Sequence, residues 1–312
     1  MVKTVVLMAT YNGSQFIDKQ LDSIRQQTLA PDYVLMRDDC STDNTIEVVE
    51  KYIERYQLSG WSIQKNDRNL GWRLNFRQLM LDAVPYDADY VFFSDQDDIW
   101  YLDKNERQVA VMEERSDIDL LSADIDIEVI GKQATVPNNF IFSDHHNKIS
   151  KYPNDLSYHN YRQGWTFCIR KLFLDRVIKY YDEGLITSHD NLIAGIAGVF
   201  ETAYNLNEAV GLHVRHDGNA SGNLLGLHSS HQKHLEALTI ARSYYQILLS
   251  LLEEGEHHNL KQIQAYLDFY LQREKNARDR NFFGTFWQMV SSINYYDNFS
   301  NWIRDAIFLF KK

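Results

Sequence analysis

Two short runs of this chain crowd carboxylates together. The denser is Asp95-Gln96-Asp97-Asp98, placed directly after the apolar run DYVFFS at 89–94. Carboxylates this close repel one another unless a cation or hydrogen-bond donors neutralise them. Hard oxygen ligands suit Mg2+ or Mn2+, which would bridge a diphosphate to an otherwise acidic site. The plainer reading is an acidic turn ahead of a helix over 102–115, because Asp is a good helix cap. Both readings stand open at this point. Asp38-Asp39 divides the same way, between a cap for a helix over 42–56 and a carboxylate that accepts the imide N–H of a pyrimidine ring. Ser188-His189-Asp190 precedes the apolar stretch 192–200 and, taken alone, is a cap. Tyr11, taken alone, is a core residue, and Arg73 is either a solvated helical arginine or a phosphate contact.

The elements that must position these residues alternate. KTVVLMA (3–9) reads as a strand that stops at TYNG, and Phe16, Gln20, Leu21 and Ile24 follow at helical spacing. YVLMR (33–37) is a second strand, WSIQ (61–64) a third and DYVFFS a fourth, with helices expected over 41–55 and 72–83. Strand–helix alternation implies crossover units, a parallel sheet, and ligands at the carboxyl ends of the strands. The loops holding Thr10-Tyr11-Asn12, Asp38-Asp39 and Asp95 to Asp98 should therefore converge. DLLSADIDIEVIG after Asp117 suggests strands, and 132–158 suggests a loop or flap. No proline follows Pro153, and 235–253, 259–276, 283–293 and 299–310 carry apolar positions at three- and four-residue spacing. Residues 1–225 are thus expected to form an α/β domain and 226–312 a helical appendage.

Composition narrows the function classes. The chain has 312 residues, 44% of them hydrophobic, and a formal net charge of −11. It can build a large core, and its acidity argues against nucleic acid as a partner. Cys40 and Cys168 are the only cysteines and form no CxxC pair, so a disulfide scaffold and a zinc knuckle are excluded and a cytoplasmic setting is expected. No run approaches the roughly 18 apolar residues of a membrane span. The absence of GxGxxG and of a P-loop disfavours a nicotinamide enzyme or a P-loop nucleotide enzyme.

MATYNG (8–13), RDDCSTDNT (37–45), NLGWRLNF (69–76) and FFSDQDDIW (92–100), in this order and spacing, resemble the nucleotide-sugar half of glycosyltransferase family 2. The SDQDDIW form looks most like the bacterial rhamnosyltransferase-type branch that builds cell-surface polysaccharide. The resemblance implies a GT-A fold: a Rossmann-like, mostly parallel mixed sheet flanked by helices. It further implies that Thr10 and Tyr11 line a nucleoside pocket, that Asp39 contacts uracil or thymine, and that Asn69, Gly71 and Arg73 border the nucleotide. Within the acidic loop it makes Asp95 the first acid, Asp97 the one facing ribose and Asp98 the metal ligand. Asp190 matches the base that takes the acceptor proton. Gly164 and Trp165 match a turn between donor and acceptor, where a missing Cβ admits a sugar; Trp165 either offers that sugar a flat face or is a buried core tryptophan. Within Arg215-His216-Asp217-Gly218-Asn219, His216 matches a residue that ligates the metal or bonds the diphosphate.

The expected activity is inverting, Mn2+- or Mg2+-dependent transfer of rhamnose or another hexose. The donor would be a dTDP- or UDP-sugar and the acceptor a glycan hydroxyl, lipid-linked or protein-linked. The rival from another class is a catalytically silent GT-A module serving as an assembly partner. His228, His231 and His234, three apart, are expected on a solvated helix face. The apolar stripes of 283–293 and 299–310 have three readings: packing on the core, a homodimer interface, or contact with the inner face of the cell membrane, with the first two ahead. Residues 273–312 hold seven Lys or Arg against four Asp or Glu.

Overall fold

The computed structural model describes residues 2–130, 136, 140–153, 161–181, 184, 187–216, 229–253, 257–296 and 298–311. Its elements, in chain order, begin with β1 (Thr4–Thr10), α1 (Ile17–Arg25), β2 (Tyr33–Asp38), α2 (Thr45–Tyr56), β3 (Trp61–Lys65), α3 (Trp72–Asp82) and β4 (Tyr90–Ser94). There follow β5 (Ile99–Trp100), α4 (Lys104–Glu114), β6 (Leu120–Val129), β7 (Ile149–Lys151), β8 (Cys168–Arg170), α5 (Lys171–Ile178), α6 (His189–Val199) and β9 (Ala203–Arg215). The chain then turns helical: α7 (His231–Glu253), α8 (Leu260–Arg278), α9 (Phe282–Ser291) and α10 (Phe299–Phe308). The described residues fall into two compact units. One lies within Met1–Asp155, His159–Lys179 and His189–Asn219, the other within Leu156–Tyr158, Tyr180–Ser188 and Ala220–Lys312.

The first unit is built on a sheet in the order β3-β2-β1-β4-β8-β6-β9-β5, with β7 beside β9. β1, β2, β3 and β4 pair in parallel, while β4–β8, β6–β8 and β5–β9 are antiparallel and β6–β9 is parallel again. Central parallel strands are covered on both faces and so read as unbroken apolar runs. Val5 to Met8 and Val91 to Phe93 accordingly have no exposed surface. α1 buries Ile17, Leu21 and Ile24, spaced four and three apart as one helix face requires. The register sets Thr10 opposite Asp38 and Met8 opposite Ser94, so β1, β2 and β4 end on a common edge.

Several expectations change. The strands foreseen after Asp117 are one strand, β6, with two register shifts against β9. Most of the suggested flap over 132–158 lies outside the described residues, but Ile149–Lys151 is a strand rather than loop. His228 lies outside the described residues as well. His231 and His234 are not solvated. They are buried in the helical unit, with His231 Nδ1 2.8 Å from the Phe308 carbonyl and His234 Nε2 3.5 Å from Asp305. No described helix is long and apolar enough to cross a membrane.

Candidate functional site

The loops at the carboxyl edge of β1, β2 and β4 are tied together by their own side chains. Gln96 closes a two-way clasp on Tyr11, accepting from its N–H and donating to its carbonyl, both at 2.9 Å. Asn12 N–H donates to Ser41 Oγ at 2.8 Å, and Thr42 N–H to Asn12 Oδ1 at 2.8 Å. Asp38 is spent inside this network: its carboxylate accepts from Thr10 Oγ1, Ser41 N and Ser41 Oγ. Thr10 is thereby buried as a strut, while the Tyr11 ring stands 48% exposed at the rim.

Asp39 organises the third loop. It is 3% exposed, and its Oδ1 accepts from Asn66 Nδ2 at 2.9 Å and Leu70 N at 2.7 Å, its Oδ2 from Gly71 N at 2.8 Å. Asn69 Nδ2 donates to the Asp39 carbonyl at 3.0 Å. Gly71 opens α3 at φ 78°, a conformation that strains any residue with a Cβ. Beside it the Arg73 guanidinium lies 4.3 Å over the Trp72 ring, with Nε buried and unbonded. The carboxylate foreseen as a base reader is thus held by three donors, with one acceptor site left on Oδ2.

The acidic loop splits into two pairs. Asp98 is 1% exposed; its Oδ1 lies 2.6 Å from His213 Nδ1 on β9, and its Oδ2 is buried without a partner. Burial pushes Asp98 up to about 6, against the pull of the His213 bond. Asp97 Oδ2 instead meets His216 Nε2 at 2.9 Å, and that imidazole stacks on Phe16 at 4.4 Å. The two residues expected to share a cation, Asp98 and His216, therefore bond different partners, because β9 delivers two histidines to this edge rather than one. Sequence reasoning passed over His213. Its only signal was that it stands three residues before His216 in the same run.

Asp95 shows what else the edge gathers. Burial raises its carboxyl well above the ordinary range, and the charges of Asp98, Asp97 and Asp190 raise it further. Asp190, in the first turn of α6, is thereby brought within electrostatic range of the acidic loop although it is remote in sequence. Its Oδ1 accepts from Asn191 N at 2.8 Å. Four carboxylates drawn together, one of them with an orphaned buried oxygen, fit a divalent cation. The chain alone does not assemble a full coordination shell: among the described residues no cluster of three or more His, Cys, Asp or Glu side chains stands ready for a metal.

Two expected sugar contacts do not hold. Trp165 is 1% exposed, belongs to the hydrophobic core and stacks toward His213 with ring centroids 6.1 Å apart. It is a core tryptophan, not a platform. At Gly164 the space a Cβ would fill is taken from within: an added Cβ would stand 2.3 Å from His189 Nε2. That imidazole is wedged against Phe76 at 4.0 Å and Phe93 at 4.6 Å, with both nitrogens buried and unbonded. Burial holds His189 down to about 4, opposed by the Asp190 charge. Gly164 thus seats the residue beside Asp190 rather than a sugar. Of the closing segment, Asp217, Gly218 and Asn219 lie outside the described residues.

Comparison with known proteins follows the same lines. Residues 5–180 match the family model described as "Glycosyl transferase family 2". The dTDP-rhamnosyl transferase RfbG of Shigella flexneri is 40% identical over 97 residues, 31% of this chain and 34% of that protein. The poly(ribitol-phosphate) beta-N-acetylglucosaminyltransferase TarS of Staphylococcus aureus strain Mu50 is 32% identical over 106 residues, 33% of this chain and 17% of that one. The matched stretches thus span only about a third of RfbG and 17% of TarS. Among solved structures, S. aureus TarS 1-349 in complex with UDP-GlcNAc aligns over 97% of this chain and 79% of that one, with a TM-score of 0.59 and 18% identity. Mannosyltransferase PcManGT from Pyrobaculum calidifontis, in complex with GDP-Man and Mn2+, aligns over 98% and 85%, with a TM-score of 0.53 and 13% identity. At such identities the likeness concerns the fold alone, and that fold is GT-A.

Proposed function

This chain belongs to glycosyl transferase family 2, and from that premise we propose that it moves a sugar, with inversion, from a nucleoside-diphosphate donor to a hydroxyl of a cell-surface glycan. The observation that carries the reading is the meeting of Asp190 with the acidic loop, seen in the shared charge that lifts Asp95. One carboxylate within electrostatic reach of several others, but on a different element, is the division of labour such a reaction needs. Asp190 accepts the proton of the acceptor hydroxyl as its oxygen forms a bond to the anomeric carbon, and the bond from that carbon to the diphosphate oxygen breaks. A single displacement inverts the configuration, and the proton stays on Asp190 until solvent removes it. Tyr11, Asp39, Asn69, Gly71 and Arg73 would seat the nucleotide, with Asp95 beside them and Thr10 bracing their loops through Asp38.

Asp97 and His216, already in contact, would hold a Mn2+ or Mg2+ ion, and His213 would steady Asp98 in the same acidic loop. When bound, the ion offsets the charge of the departing diphosphate. The Mn2+ beside GDP-Man in the mannosyltransferase neighbour supports this reading. RfbG suggests a dTDP-rhamnose donor and TarS a UDP-sugar, so both nucleotides are the donors to try first. Both cysteines are unpaired thiols, in keeping with a cytoplasmic reaction.

The test is purified protein with UDP- and dTDP-sugars, with and without Mn2+. Thermal stabilisation should identify the donor. Asp190→Asn should then lower transfer about 10²- to 10⁴-fold, the usual contribution of a general base, and leave donor affinity nearly unchanged. Normal turnover by that variant removes the base assignment. A protein that binds donor but neither hydrolyses nor transfers it is the silent module instead.

A further inference from the structure

Helix α9 is inside out. Its buried residues are Thr285, Gln288 and Met289, while Phe283 is 83% exposed, Phe286 63%, Trp287 72% and Val290 58%. The inward face is not a core awaiting apolar side chains. Gln288 Oε1 accepts from Asn276 Nδ2 at 2.9 Å, and Gln288 Nε2 donates to Tyr296 Oη at 2.7 Å and Asp305 Oδ2 at 3.1 Å. Asn281 Oδ1 accepts from Gly284 N at 2.9 Å and caps the helix in this orientation. Rotating α9 to hide its rings would break all of these bonds.

The exposed rings continue beyond α9. Phe282 lies 5.6 Å from Phe283 and 6.2 Å from Phe310, which is itself 75% exposed. A contiguous apolar face of this kind marks an interaction site, unlike scattered single hydrophobes. Its rim is net cationic, with Asp279 the one exposed acid between Arg278 and Arg280 and with Arg278 paired to Glu274. No Asp or Glu occurs between Asn281 and Tyr296, while Lys275, Arg278 and Arg280 are exposed just before α9 and Lys311 follows Phe310. The chain as a whole carries −11, so this corner is cationic against an acidic background.

We infer that the aromatic face of α9, joined by Phe282 and Phe310 and rimmed by Lys275, Arg280 and Lys311, seats the protein on an anionic phospholipid surface. Aromatic rings favour headgroup depth, and flanking cations add attraction to acidic lipid. A second copy of this chain fits less well, because pairing the face with itself would bring two net-positive rims together, with Asp279 alone too little to balance Lys275, Arg280 and Lys311. This inference stands apart from the transferase reading and survives its failure.

The experiment is co-sedimentation of the full chain with vesicles of phosphatidylcholine alone and of phosphatidylcholine with phosphatidylglycerol, together with light scattering in solution. The expected result is binding to the phosphatidylglycerol vesicles, loss of binding in high salt, and a monomer in solution. Phe283→Asp combined with Trp287→Asp should weaken vesicle binding at least about tenfold. Leu172→Asp, which removes an isolated 83%-exposed leucine of α5, should leave it unchanged. If the double variant loses its thermal transition, Lys275→Glu with Arg280→Glu takes its place and should abolish the preference for phosphatidylglycerol. Absence of binding to phosphatidylglycerol vesicles, full binding by the variants, or a solution dimer that the double variant dissociates would each overturn the inference.

Discussion

The sheet unit and the helical unit differ in how they bury polar groups. In the sheet unit the apolar strands and helices enclose scattered polar side chains, among them Gln20, Lys104 and Gln108, and the carboxylates of Asp39, Asp95, Asp97 and Asp190 stand at the edge where parallel strands end. In the helical unit the interior holds an ion-paired network. Arg273 makes a two-pronged bond to Asp305 at 2.8 and 2.9 Å, Asn276, Gln288 and His234 gather around them, and the aromatic rings of α9 are outside. Apolar packing tolerates sliding, whereas hydrogen bonds fix direction and register. The sheet already has register from its strand ladders, and its edge polar groups tie down loops instead. The four helices have no ladder, and the network joining α7, α8, α9 and α10 supplies one.

The contrast is open to attack at several points. The largest effect is expected at Arg273→Met. Arg273 and Asp305 are 4% and 5% exposed, so removing the cation strands a buried carboxylate and should cost about 3–5 kcal/mol in chemical denaturation. Adding Asp305→Leu should recover most of that loss; a harmless single variant would mean the network does not organise the helices. Next is Gly164→Ala, whose methyl meets His189 Nε2 at 2.3 Å. The ring cannot retreat between Phe76 and Phe93, so about 1–3 kcal/mol should be lost. Because α6 must then shift, transfer should fall more steeply than donor binding, and an unchanged rate would show that His189 does not hold Asp190 in place.

The smallest effect is on pH dependence. Burial keeps folded His189 neutral down to about 4, while the unfolded chain protonates near 6.5. Between those values the unfolded state binds more protons, so this residue removes stability as pH falls from about 6.5 to 4 and changes nothing further below. His189→Phe should flatten that part of the curve of thermal midpoint against pH. An equally steep fall in the variant would place the acid sensitivity elsewhere, with His234, which burial also lowers to about 4, the next residue to replace.

Much of the sheet unit was legible because its physics is local. β-branched and aromatic runs marked β1, β2 and β4, and acids directly after them had to lie at the carboxyl edge once the strands were parallel. Asp38 and Asp39 show the limit. Identical side chains at adjacent positions differ only in which donors the fold presents, so one is consumed by Ser41 and Thr10 while the other ties the loop of Leu70 and Gly71. Trp165 could not be divided between sugar platform and core from sequence, because a tryptophan beside glycine has the same local pattern in a core as in a cleft. α9 was left open for a related reason: periodicity reveals that a helix has an apolar face, not which way that face turns.

Residue order alone therefore settled the alternation of strands and helices, the acidic edge and the family. Those features follow from backbone preference and from carboxylates that no distant contact can discharge unaided. Folding decided the pairings: His213 with Asp98, His216 with Asp97, the charge of Asp190 reaching Asp95, and Thr285 and Gln288 rather than rings on the inner face of α9. Each joins groups far apart along the chain, and hydrogen bonding and charge act over a few ångströms of space, a distance that position in sequence does not encode.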